Sequence, residues 1–145
     1  MAFSSRTLSP AEWAALTHFS ADEFQHPEKM GYEFMLWLDG VREQAGVPMH
    51  VSSSYRSRAY NLAVGGAADS AHVDEPCEAV DIAKSPTAED PNWNHARFCI
   101  LRAALLGGCT RFGFYPNGSL HIDRTESVRP AERLWNAVDN PAKPI

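Results

Sequence analysis

The order of sequence elements predicts an α+β fold: a small, mainly antiparallel sheet flanked by helices. Helical and strand patterns are interspersed along the chain, and one clear hairpin makes at least part of the sheet antiparallel. The 145 residues (16.0 kDa) suffice for one domain, taken as 1–145. A content of 44 % hydrophobic and 21 % charged residues gives that domain a core to bury.

The elements follow in order. Ser9, Pro10 and Glu12 open a short helix through Ala15 or Thr17, with serine as N-cap and glutamate reaching back. Ser20 and Glu23 repeat the capping pattern in a brief turn. Met30, Phe34, Leu38, Val41 and Ala45 recur at spacings of three and four and predict the strongest helix, stopped by Gly46 and Pro48. Met49 to Tyr55 reads as a strand, and Ser57 caps a short helix to about Val64 that stops at Gly65 and Gly66. Residues Gly65 to Asp74 read as a loop and Ala79 to Ala83 as a strand. Asp90 and Pro91 start a long helix ending at Gly107 and Gly108, with Trp93, Ala96, Ile100 and Ala103 on one side. Thr110 to Tyr115 and Ser119 to Arg124 form the hairpin, turning at Pro116, Asn117 and Gly118. Pro130 opens a terminal helix over about 130–138, which places Trp135, like Trp13, Trp37 and Trp93, in the core.

Charge and composition narrow the function. Thirteen Lys and Arg against eighteen Asp and Glu give a net charge of -5 without a basic block, which argues against nucleic-acid binding. Apolar runs fall far short of the roughly 20 residues that span a bilayer, so no membrane insertion is expected. The first ten residues lack the apolar stretch of a signal peptide, predicting synthesis and retention in the cytoplasm unless something else releases the protein. Cys77, Cys99 and Cys109 lack CxxC spacing and suit reduced thiols. A monomer is the simplest expectation.

Four features stand out for chemistry. They are Ser53 to Ser57 with the following Tyr60, Asn61 and Val64 to Ala67; Ser70 and His72 followed by Asp81; Phe112 to Pro116; and His121 with Asp123. His72, Asp81 and His121 form a plausible zinc set, leaving a fourth position for water. Strand alternation puts Asp81 opposite Val80 and Ile82, and His121 with Asp123 opposite Leu120 and Ile122. The same pattern also suits polar residues that simply meet solvent on a half-exposed sheet. His18, His26, His50 and His95 lie outside these motifs and read as ordinary histidines.

The run SSYRSRAYNLAVGGAADSAH, then EAVDI, then GFYPNGSLHID resembles the M15 group of zinc peptidases, D-alanyl-D-alanine carboxypeptidases and related peptidoglycan endopeptidases. The resemblance covers roughly residues 19–124. It implies the small zinc fold shared by these peptidases and hedgehog-like domains, one Zn2+, and hydrolysis of an amide bond in peptidoglycan stem peptides. By the same resemblance His72, Asp81 and His121 are the metal ligands. Arg56 holds the substrate carbonyl oxygen or carboxylate, and Ser70 supports the metal loop. Tyr115, which directly precedes the turn beside the proposed metal strand, is expected from its position to border the cleft. Combined with the missing export signal, the resemblance suggests a phage endolysin that acts on the wall after phage release or as a virion component.

Two departures from the family pattern bear on activity. The step from His72 to Asp81 is nine residues where the family has seven, and Cys77 stands at the expected glycine. The positions where relatives carry a general base hold Gly118 and Ser119. Asp123 is then a catalytic candidate, with Asp74, Glu75 and Glu78 as others, although Asp123 could instead orient His121 or bind Arg124. The alternative from another class is a zinc-stabilised, catalytically inactive module that binds the cell wall or builds a virion.

Overall fold

The structure, a computed structural model, describes residues 2–85 and 92–136. Four helices, α1 (Pro10–Ala15), α2 (Tyr32–Ala45), α3 (Arg58–Ala63) and α4 (Trp93–Leu106), accompany five strands. These are β1 (His50–Ser53), β2 (Ala79–Ala83), β3 (Arg111–Phe114), β4 (Leu120–Asp123) and β5 (Arg133–Asn136). They form one sheet in the order β1-β2-β4-β3-β5, antiparallel except where β5 runs parallel to β3. The expected α+β class is present.

Local signals set most boundaries. Ser9 accepts from the Glu12 amide while the Glu12 carboxylate accepts from the Ser9 amide, closing the capping box of α1. Ser57 caps α3 through the Tyr60 amide. Helix α2 ends at Gly46, whose φ of +66° lets its amide close on the Arg42 carbonyl. It starts two residues later than the apolar periodicity suggests, because Met30 and Gly31 pair with Cys77 and Thr7. Ser4 then accepts from the Phe34 amide at 3.0 Å, a cap supplied from 30 residues away.

The core lies on one side of the sheet. Val51, Val80, Ile82, Phe112, Leu120 and Ile122 join Phe34, Met35 and Leu38 of α2 and Ile100 and Ala104 of α4 in one buried cluster. Alternation therefore sends the intervening residues of β2 and β4 to the other face. A bulge extends this logic to β1. Val51 pairs with Ile82 but Ser53 with Asp81, so the extra residue turns Ser53 onto the face of Asp81.

One element differs in kind from its sequence expectation. The predicted terminal helix is instead strand β5 over its described part, residues 137 and 138 lying outside the described residues. Glu132 adopts a left-handed φ of +56°, which breaks any helix begun at Pro130. The Arg133 amide then donates to the Thr110 carbonyl at 2.8 Å and starts the parallel pairing with β3. Ala131 to Leu134 are all good helix formers, but propensity is a weak bias that this tertiary pairing overrides. The expected start of α4 at Asp90 and Pro91 also lies outside the described residues.

Candidate metal centre

A single row of paired residues crosses the polar face of the sheet: Ser53, Asp81, His121, Gly113 and Trp135, on β1, β2, β4, β3 and β5. Two metal-ligand candidates are thus fixed by strand register. The third, His72, sits on a short 3-10 turn (Ala71–Val73) capped by Ser70, whose hydroxyl accepts from the His72 amide at 3.2 Å. The Arg56 amide donates to the His72 carbonyl at 2.8 Å and ties this loop to the end of β1.

His72, Asp81 and His121 are buried, and their ligand atoms all lie within 4.8 Å of one another. Neighbours fix both imidazole tautomers. His72 Nδ1–H donates to the Ser54 carbonyl at 2.5 Å, and His121 Nε2–H donates to Asp123 Oδ2 at 2.7 Å, because neither oxygen can donate in return. In the neutral rings His72 Nε2 and His121 Nδ1 therefore carry lone pairs, and both face Asp81 Oδ1, at 3.2 and 3.0 Å. Three electron-rich atoms converging there call for positive charge, supplied by a proton on an imidazole or by a metal ion. The donor set, two imidazoles and one carboxylate with the outer imidazole nitrogens anchored, fits zinc.

Electrostatics agree with that demand. Burial pushes the Asp81 carboxyl up, but the two histidines outweigh it and hold it well below its ordinary range. Burial lowers His121, yet Asp123 and Asp81 raise it to about 9 without a metal. Asp123 is fully buried, and its other oxygen accepts from Arg111 Nε at 2.7 Å and from the Thr125 hydroxyl at 2.6 Å and amide at 3.0 Å. Arg111, absent from the sequence candidates, is the residue that pairs with Asp123. Arg124 instead pairs with Glu126.

The centre opens into a cleft of about 510 Å³ lined by every sequence-predicted site residue: Arg56, Ser70, His72, Asp81, Tyr115, His121 and Asp123. Tyr115 donates its hydroxyl to Asp81 Oδ2 at 3.1 Å. Arg56 lies beside the same oxygen, Nη2 at 3.5 Å, while its Nε donates to Ser53 Oγ at 3.0 Å. Asn61 accepts from Arg56 Nη1 at 3.5 Å and donates to the Ala67 carbonyl at 2.9 Å. A Cβ at Gly66 would collide with the Asn61 side chain, which explains the second glycine of the pair.

The loop candidates for a base do not reach the cleft. Asp74 holds Arg129 at 2.6 and 3.1 Å, Glu75 pairs with Lys29 at 2.5 Å, and Glu78 is buried with Oε2 unpartnered. The longer loop and Cys77 are accommodated by backbone pairing. The Cys77 amide donates to the Lys29 carbonyl and its carbonyl accepts from the Gly31 amide, each at 2.8 Å. Cys77 needs no left-handed φ, so nothing at this position demands glycine. Its thiol is fully buried, pushed up to about 12 by desolvation, and lies outside the ligand group.

Besides Arg111, two further residues at or behind the site escaped the sequence reading. Trp135, assigned there to a core helix, is half-buried in the cleft wall, its ring centroid 5.4 Å from that of His121. Arg129, also in the C-terminal segment, fastens the metal loop at Asp69 and Asp74. No local pattern marks either residue, since their partners lie 55 or more residues away for Arg129 and on strand β3 for the Trp135 segment.

Comparison with known proteins agrees with this geometry. The sequence model of the family described as Peptidase M15 matches residues 7–123. Searches of curated proteins and of solved structures find no match. That match spans most of the sequence and contains His72, Asp81 and His121, so the chain belongs to the peptidase M15 family of zinc-dependent peptidases.

Proposed function

We propose that the protein is a zinc-dependent hydrolase that cuts an amide bond in peptidoglycan stem peptides. The observation that carries this reading is the convergence of His72 Nε2, Asp81 Oδ1 and His121 Nδ1 at the floor of an open cleft with Arg56 beside them. Bound zinc supplies a Lewis acid and lowers the pKa of a water to about 7.

The chain's own residues supply positioning and charge. Arg56, aimed by Ser53 and Asn61, presents a fixed guanidinium to a substrate carbonyl oxygen or carboxylate, and charge developing there in the transition state strengthens the contact. The Tyr115 hydroxyl stands beside Arg56 on the same side of Asp81. Asp123 acts through His121: with both oxygens committed, it holds the tautomer and raises the basicity of the ligand nitrogen. Ser70 shapes the turn that carries His72.

A second reading has a specific observation behind it. Among the described residues the carboxylates lining the cleft are Asp69, Asp81 and Asp123, and each is engaged by Arg129 or by the metal-site histidines. Such a site suits a wall-binding module that keeps its zinc but does not hydrolyse.

One assay separates the two readings. Zinc-loaded protein is incubated with peptidoglycan sacculi of several chemotypes, and new amine termini or released D-Ala are followed by mass spectrometry with and without chelator. The proposal expects a chelator-sensitive product, and Arg56→Ala to keep zinc but lose most turnover. Zinc without product on any chemotype supports the module, and unchanged turnover in Arg56→Ala overturns its role. The proposal includes delivery by phage lysis. Co-expression with a holin should make cell lysis depend on the holin.

A further inference from the structure

The cross-sheet row that carries the ligands is chemically asymmetric. At one end Ser53 receives Arg56, and at the other stands Trp135, in a segment beyond the residues matched to the family. Between Trp135 and His121 the row has Gly113, and the missing side chain there lets the indole lie inward. A Cβ at Gly113 would sit 2.8 Å from Trp135 Nε1 and 3.1 Å from the Cβ of His121. The Arg111 guanidinium lies 5.0 Å from the indole ring centroid, itself anchored by Asp123 and by the Pro130 carbonyl at 2.6 Å. The indole is therefore held from two sides, and it is only half-buried in the cleft wall.

We propose that Trp135 is a specificity-determining residue that receives an apolar side chain of the substrate on the side of the scissile amide away from Arg56. The inference rests on the hydrolase reading of the site and adds the chemistry of one subsite. Strands β4 and β5 are two spacings apart, about 10 Å, but the indole reaches back to 5.4 Å from the His121 ring. An extended peptide advances about 3.5 Å per residue. A bond held at the ligands thus brings a flanking residue onto the indole. The held ring offers apolar area with little ordering cost, so it favours aliphatic groups over glycine at that position.

The test measures binding directly, by calorimetry on the zinc-loaded protein. The probes are synthetic stem-peptide analogues carrying glycine, alanine or leucine at each residue flanking the scissile amide. The wild type should prefer leucine over glycine about tenfold at one flanking position. Trp135→Ala should reduce that ratio to near one with zinc affinity unchanged, Trp135→Phe should retain most of it, and Gly113→Ala, which displaces the indole, should lower it. No preference in the wild type, an unchanged ratio in Trp135→Ala, or equal loss for every peptide together with lost zinc would overturn the proposal. If Trp135→Ala does not fold, the Phe and Gly113 variants decide by the same ratio. A wild type that shows the preference and hydrolyses nothing refutes the hydrolase reading while the subsite stands.

Discussion

Replacement of Asp123 separates an orienting role from a base role. Its carboxylate is fully buried and accepts four hydrogen bonds, one from His121, one from Arg111 and two from Thr125. Alanine removes the carboxylate partner of Arg111, whose side chain is 10 % exposed and keeps, among the described residues, the Pro130 carbonyl and the Trp135 ring. Breaking a buried pair in this way costs about 3–5 kcal/mol. His121 also loses the acceptor that fixes its tautomer, and zinc affinity should fall about 10–100-fold, which is about 1.4–2.8 kcal/mol.

Asp123→Asn keeps the shape but cannot present an anion to both Arg111 and His121, so it should fall between wild type and alanine. Chelator competition reads zinc affinity, and urea unfolding of the apoprotein reads stability. The sign with pH is also fixed. Burial raises the Asp123 carboxyl, but His121, Arg111 and Thr125 outweigh it and hold it below its ordinary 3.8. Its contribution is present above pH 3.8 and is lost as pH falls through the depressed value. Asp123→Asn should remove that acid-side loss. An Asp123→Asn protein with wild-type zinc affinity and stability but no turnover would refute the orienting role and restore the base.

Three other perturbations test the surroundings of the site. Arg129→Ala releases Asp69 and Asp74, and with them the loop that carries His72, from the C-terminal segment; with Asp74 partly exposed, the stability cost should be about 1–2 kcal/mol. Zinc affinity should drop as well, and lysine, which cannot grip a carboxylate bidentately, should restore little of it in chelator competition. Glu78 is raised above its ordinary 4.5 by burial, so the folded state holds its proton longer and stability falls as pH rises from 4.5 through the raised value. Glu78→Gln should flatten that part of the stability curve in urea titrations at several pH values. Gly66→Ala drives a methyl into Asn61, which orients Arg56, and should cost about 1–3 kcal/mol by thermal unfolding.

Where the governing interaction was local, the sequence was legible. Ser9 and Ser57 sit three residues from the amides they cap, and the period of Phe34, Leu38 and Val41 directly reports the buried side of α2. Asp81, His121 and Asp123 were placed on one face because strand alternation follows from backbone geometry alone. Family motifs then joined His72 and Arg56 to that face.

Long-range contacts decided the rest. Strand β5 exists because β3 offers it a pairing edge and Gly113 leaves room for Trp135, neither of which is visible in the sequence around Pro130. The Val51/Ser53 bulge turned Ser53 toward Arg56. Arg111 and Arg129 found their carboxylates through the folded chain, and the loop containing Cys77 was made safe by pairing with residues 29–31. Sequence by itself therefore determined most of the elements, through capping and periodicity, and its family motifs named the candidate ligands. Tertiary structure alone decided which side chains hold those candidate ligands in register and which aromatic ring lines the cleft, because charge pairing and side-chain packing depend on distances in space that the order of residues does not contain.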